Sequence, residues 1–162
     1  MVTIESPEVE RILLATDFSR WTTNAVDYAF EMARCFDAEV LMVHGIEPIA
    51  DGAVDDQDED GDFDEFFGDL VDKSRRELEE LVVRAEQEDV KARFHIEIGE
   101  RWRIILDYAA QEEADIIVLG RRAQVDQQDF ALGTTSQRVF FGTERPVLTV
   151  PSRREPESTD DQ

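Results

Sequence analysis

The chain has almost no lysine. Of its 17 basic residues only Lys73 and Lys91 are lysines, and all 17 face 39 Asp and Glu, for a formal net charge of -22. So little positive charge disfavours nucleic acid and anionic membrane as partners, because both would be repelled. Cysteine is nearly missing too. The single Cys35 rules out an internal disulfide and a cysteine-rich zinc site. Its neighbours suggest a thiol near the core side of a helix. The two histidines, His44 and His95, fall in separate strands without ligand-spaced partners, so no zinc site is expected. No apolar run approaches the roughly 18 residues of a spanning helix. Met1 to Glu10 is acidic rather than basic-then-apolar, unlike a secretory signal. The expected location is the cytoplasm.

What is present argues against a disordered acidic chain. Ten phenylalanines and a hydrophobic fraction of 41% accompany several clean apolar runs. At 162 residues the chain fits one domain with a real core. Adaptation to high salt explains the charge better. Screening shortens the reach of self-repulsion to about 3 Å at 1 M, and few Lys with abundant Asp resembles the proteins of salt-in halophiles.

Apolar runs at Arg11–Ala15, Glu39–Ile46, Lys91–Ile98, Asp115–Leu119 and Pro146–Val150 read as strands. Between them lie helical spacings. Ala25, Tyr28, Ala29, Met32, Ala33 and Phe36 make one apolar face. Leu78, Leu81 and Val82 face inward on a helix reaching about Glu88. Trp102, Ile105, Leu106 and Ala109 make a third face, and a short helix falls within Gly133–Phe141. Strict β-α alternation implies an α/β fold, an open parallel sheet with helices on both faces. The expected domain is 1–151. Within it, 49–65 is an exposed acidic loop, and a disordered polar tail follows over 152–162. In that loop Asp56-x-Asp58-x-Asp60-Gly61 copies half of an EF-hand, but Phe67 stands where the bidentate Glu belongs, so no calcium site is expected.

In such sheets ligands sit at strand carboxyl ends where the winding reverses. The first strand ends in Ala15-Thr16-Asp17-Phe18-Ser19. The fourth ends in Gly120-Arg121-Arg122-Ala123, then nine residues, then Gly133-Thr134-Thr135-Ser136. Glycine admits close approach of a phosphate, and hydroxyls beside free N–H groups at a helix N-terminus favour an anion. A simple turn and N-cap explains Gly133-Thr134 equally well. A Walker P-loop is absent, and so is an S-G-G-x-D-S loop. No Ser–His–Asp set is suggested either.

The strand ending in T-D-F-S, the V-H of the second strand, the late glycine segment and the following P-V-L-x-V resemble the universal stress protein family, over about Val9 to Pro151. The resemblance implies a five-stranded parallel sheet of order 3-2-1-4-5, a Rossmann-like, adenine-nucleotide alpha hydrolase-like fold. It also implies a crevice between strands one and four that holds ATP as a regulatory ligand. By the same resemblance Asp17 contacts the ribose beside Ala15, Leu119 and Gly45 border the base, and Gly120, Ala123, Gly133, Thr134 and Thr135 hold phosphates. A nucleotide-associated divalent cation is the only metal implied. Two positions depart from the pattern: Ala123 replaces a glycine, and Gly45 stands where binding members often have Val. A methyl at Ala123 could strain a tight phosphate loop, and Arg121 and Arg122 could offset this by pairing with phosphates. ATP binding and a degenerate, nucleotide-independent interaction protein therefore both stay open. The family implies a homodimer through antiparallel pairing of the last strand, Val147, Leu148, Thr149 and Val150. No catalytic residue is assigned. A weak nucleotide hydrolase ranks last, since Asp17 is the sole crevice carboxylate and already has a binding role.

Overall fold

The computed structural model describes residues 7–48, 61–121 and 133–153, with side chains from 65 onward in the second of these segments. The elements are β1 (Arg11–Ala15), α1 (Thr23–Phe36), β2 (Glu39–Ile46), α2 (Gly61–Gln87), β3 (Ala92–Ile98), α3 (Arg101–Gln111), β4 (Ile116–Arg121), α4 (Thr134–Gly142) and β5 (Val147–Pro151). The five strands form one sheet of order β3-β2-β1-β4-β5, and every pairing is parallel. This is the α/β architecture and strand order expected above. Among the described residues no helix is long and apolar enough to cross a membrane.

The unalternating strands are explained by two separate cores. Ile12, Leu14, Val40, Met42, Val118 and Val150 point to one face and pack with Ala25, Val26, Ala29 and Phe30 of α1 and Leu78 and Ala85 of α2. Leu13, Leu41, Val43, Ile117 and Leu119 point to the other, against Ile104, Ile105, Tyr108 and Ala109 of α3 and Val139 of α4. Successive strand residues face opposite ways, so a sheet covered on both sides must be apolar at every position. Ile12, Leu13 and Leu14 are completely buried, and each such side chain contributes roughly 1.5–3 kcal/mol.

Four local expectations need correcting. The buried stripe of α1 runs through Val26 and Phe30, while Tyr28 and Phe36 are half exposed. Cys35 is exposed: it lies two residues past the last buried residue of the helix, Ala33. The buried face of α3 is centred on Ile104 and Tyr108, with Trp102 and Leu106 packed at its edge. The acidic segment is shorter than 49–65, because α2 begins at Gly61. Asp56, Asp58 and Asp60 lie outside the described residues.

The C-terminal boundary also moves. Ser152 is buried and its N–H donates to the Arg121 carbonyl at 2.7 Å. Arg153 donates to Asp27 Oδ2 at 2.6 Å, while Arg84 of α2 donates to the other Asp27 oxygen at 2.6 Å. One carboxylate thus ties α1, α2 and the chain beyond β5 together. Arg84 gains from Asp27 and Glu88, which raise its already high pKa against the opposing cost of its partial burial.

Candidate functional site

The winding reverses between β1 and β4, which lie side by side although α1, β2, α2, β3 and α3 separate them in sequence. At their carboxyl ends an open crevice of about 140 Å³ is lined by twelve residues. Ala15, Thr16 and Asp17 form its floor, Val43 and Gly45 one side, Leu119 and Gly120 the other. Arg101 and Ile105 of α3, Thr22 before α1, and Thr135 and Ser136 of α4 complete it.

The β1–α1 turn is held by a compact polar network. Asp17 Oδ1 accepts the Ser19 N–H at 3.0 Å and the Thr22 hydroxyl at 3.4 Å. Thr16 and Thr22 hydroxyls meet at 3.2 Å, and Thr16 Oγ1 accepts the Phe18 N–H at 3.1 Å. The price is a left-handed Phe18 at φ 59°, a conformation that disfavours a bulky residue. The Phe18 ring rests 4.5 Å from the His44 ring. His44 Nδ1 lies 2.8 Å from the Thr16 carbonyl oxygen. A carbonyl can only accept, so Nδ1 carries the proton. Burial pushes the His44 pKa down, with Arg101 adding to the effect and the Thr16 carbonyl and Asp17 opposing it. The two histidines are thus unlike. His95 stacks on Tyr108 and pairs with Glu97 at the sheet edge, away from the crevice lining.

The glycines separate in character. A Cβ on Gly120 would lie 2.6 Å from the Trp21 carbonyl oxygen and 2.8 Å from Thr22 Cα. Close approach at Gly120 is therefore made by the protein's own backbone. Among the described residues, a Cβ on Gly133 would meet nothing within 4 Å. Gly133 caps α4 with ordinary φ of -56° and ψ of 155°, without a side-chain capping bond. Its carbonyl accepts the Gln137 N–H at 2.9 Å. The N–H groups of the turn that follows have no intrahelical acceptor. Gly45 is intermediate: a Cβ there would sit 3.1 Å from Arg101 Cα and from Ile104 Cδ1.

Of the site residues named from sequence, Ala15, Asp17, Gly45, Leu119, Gly120 and Thr135 line this one crevice. Gly133 and Thr134 stand beside it at the start of α4 but are absent from its lining. Ala123 lies outside the described residues, as does Arg122. Arg101 was missed. Its only sequence signal was its place as the first residue of a helix after a strand-ending Gly99. Among the described residues no cluster of His, Cys, Asp and Glu could hold a metal ion.

Comparison with known proteins bears on this geometry. A family model described as the universal stress protein family matches residues 8–151. A universal stress protein of Methanocaldococcus jannaschii is 25% identical over 141 residues, covering 87% of this chain and 81% of its own. Among solved structures, a protein used as a structural-genomics test case for assigning biochemical function superposes with a TM-score of 0.76 at 20% identity, over 92% of this chain and 100% of that one. A universal stress protein from Archaeoglobus fulgidus, solved in complex with dAMP, superposes with a TM-score of 0.61 at 20% identity, over 88% and 98% of the two chains.

Proposed function

Since the chain belongs to the universal stress protein family, we propose that it is a nucleotide-responsive stress protein whose β1–β4 crevice binds a purine nucleotide such as ATP as a regulatory ligand. The observation that carries this reading is the convergence of Asp17, Gly120, Thr135 and Ser136, from three distant parts of the sequence, on one open crevice. Asp17 Oδ2 is used by none of the turn's hydrogen bonds and can accept from a ribose hydroxyl. Apolar Val43, Ile105 and Leu119 suit the base. The α4 N-terminus offers free N–H groups and hydroxyls to phosphates, with Gly133, Thr134 and Thr135 as the holding segment and Ala123 beside them in the motif. The A. fulgidus relative bound to dAMP supports a nucleotide of this kind. The ligand acts by occupancy rather than by turnover. Any divalent cation enters with the phosphates.

Calorimetry in high salt tests the reading. Binding of ATP or another purine nucleotide below millimolar concentration supports it, and the absence of heat up to millimolar overturns it. Recovery of binding in an Ala123→Gly variant would then locate the fault in that methyl.

A homodimer through β5 is a second element of the proposal. β5 is an edge of the sheet, its Val147, Leu148 and Thr149 are half-buried, and Phe141 of the preceding helix is 83% exposed. An unpaired apolar edge invites a partner strand. Light scattering that shows a strict monomer in high salt removes it.

A further inference from the structure

We propose that the chain carries a second small-molecule site, on the opposite face of the sheet from the crevice, and that it takes a small zwitterion, an α-amino acid with an apolar side chain. The site is a pocket of about 310 Å³ between the β1–α1 turn and α2, at the small end of the roughly 300–1,000 Å³ range of ligand pockets. Its apolar lining, Phe18, Val26 and Leu81, belongs to the α1–α2 core. Val43, Ile105 and Leu119 of the crevice belong to the α3–α4 core. Thr16 and Thr22, whose hydroxyls meet at 3.2 Å, form a wall common to both. The pocket does not depend on the nucleotide reading.

The turn side of the pocket lacks an anion. α1 begins without a side-chain capping bond at Thr22 and without an acidic residue in its first turn. Its first N–H groups have no intrahelical acceptor, and the helix dipole favours negative charge there. The Thr22 hydroxyl is turned to Asp17 and to the Ser19 carbonyl instead. Ser19 supplies an independent sign. Its hydroxyl is buried and, among the described residues, has no hydrogen-bond partner. A buried hydroxyl left unpaired is destabilising, and rotation about one bond turns it toward the pocket that Ser19 lines. A ligand carboxylate beside Ser19 and Thr23 satisfies the hydroxyl and the helix start together.

The α2 side lacks a cation. Glu77 and Glu80 line it three residues apart, a spacing that makes them neighbours on the helix surface. Neither has an ion-pair partner among the described residues. Arg84, the one cation among the described lining residues, is already held by Asp27 at 2.6 Å and by Glu88 at 2.8 Å. An entering ammonium therefore meets two carboxylates without an internal competitor. Between these two ends lie only apolar surface and hydroxyls, which suits an aliphatic side chain.

The test is calorimetric titration of the full chain in high salt with three probes of one shape. These are L-leucine, isoamylamine, which lacks its carboxylate, and isocaproate, which lacks its amino group. Leucine should bind at millimolar concentration or below, and each truncated probe at least about tenfold more weakly, because each loses a charge-assisted contact. In the double variant Glu77→Gln, Glu80→Gln, leucine should bind no better than isocaproate. Ser19→Ala should weaken leucine and isocaproate but not isoamylamine. The thermal midpoint of the free Ser19→Ala protein should not fall, since its hydroxyl has no partner to lose. Absence of heat with millimolar leucine overturns the inference. So does isoamylamine binding as tightly as leucine, which would make the pocket a cation site alone. A leucine preference over isocaproate that survives in the double variant also overturns it. Leucine binding without nucleotide binding would uphold this site while the nucleotide reading fails.

Discussion

One glycine in the crevice wall and another beside the crevice are glycine for different reasons. At Gly120 the chain is closed upon itself: the Trp21 carbonyl and the Thr22 backbone occupy the space a side chain would need. At Gly133 the chain is open, with nothing among the described residues near the missing Cβ and an ordinary backbone conformation. Two glycines that belong to one motif therefore answer to different forces. The first is required by packing whether or not a ligand binds. Among the described residues nothing constrains the second, and the proposed ligand of the crevice would be what calls for it.

The sharpest way to break this contrast is Gly120→Ala. Its methyl would meet backbone atoms that cannot rotate away, so we expect a loss at or above the upper end of the roughly 1–3 kcal/mol range for overpacking. The thermal midpoint should fall by several degrees, at roughly 2–4 °C per kcal/mol for a chain of this size. An unchanged midpoint would mean that the closed side is not closed.

A second, smaller effect tests the same side through pH. His44 pins the β1–α1 turn by its bond to Thr16 and its contact with Phe18. Its folded pKa lies below the ordinary 6.5, so the unfolded chain binds the proton more readily. The contribution of His44 is therefore full above about 6.5 and is lost as pH falls below it. Urea midpoints of the wild type and His44→Gln should converge between neutral pH and about pH 5. Parallel lines with no convergence would remove His44 as a pin.

The smallest effect is expected at Gly133→Ala. Stability should change by no more than about 0.5 kcal/mol, as at an unconstrained surface site, while nucleotide affinity in the same sample should fall. A large stability loss would erase the contrast, and unchanged affinity would move the ligand away from Gly133.

The sheet was legible in the sequence because continuous apolar runs mean two covered faces, and alternation with helices leaves few topologies. The rotation of α1 was not legible. Both Tyr28 and Phe30 are large aromatics in the middle of the helix, and only the place of Phe30 in one core with Ile12 and Val40 separates them. Asp17, Gly120 and Thr135 could be found because each lies at a strand end or helix start with a turn signature. Arg101 could not. Its closeness to Gly45 arises from α3 folding back over β2, and no local pattern records it. Neither could the packing reason for Gly120, since Trp21 and Thr22 reach it only through the pairing of β1 with β4.

The pairing of β1 with β4 has a consequence for the order of folding. Ile12 meets Ile116 in register, with most of the chain looped between them. Contacts of such high sequence separation form slowly, because loop closure comes before their reward. The crevice straddles this seam, so no partly folded chain that lacks the seam can possess it. Any ligand of the crevice therefore recognises completed molecules only. At a concentration one hundredfold above its dissociation constant it would deepen the native well by about 2.7 kcal/mol, acting mainly on the unfolding rate rather than on the speed of folding.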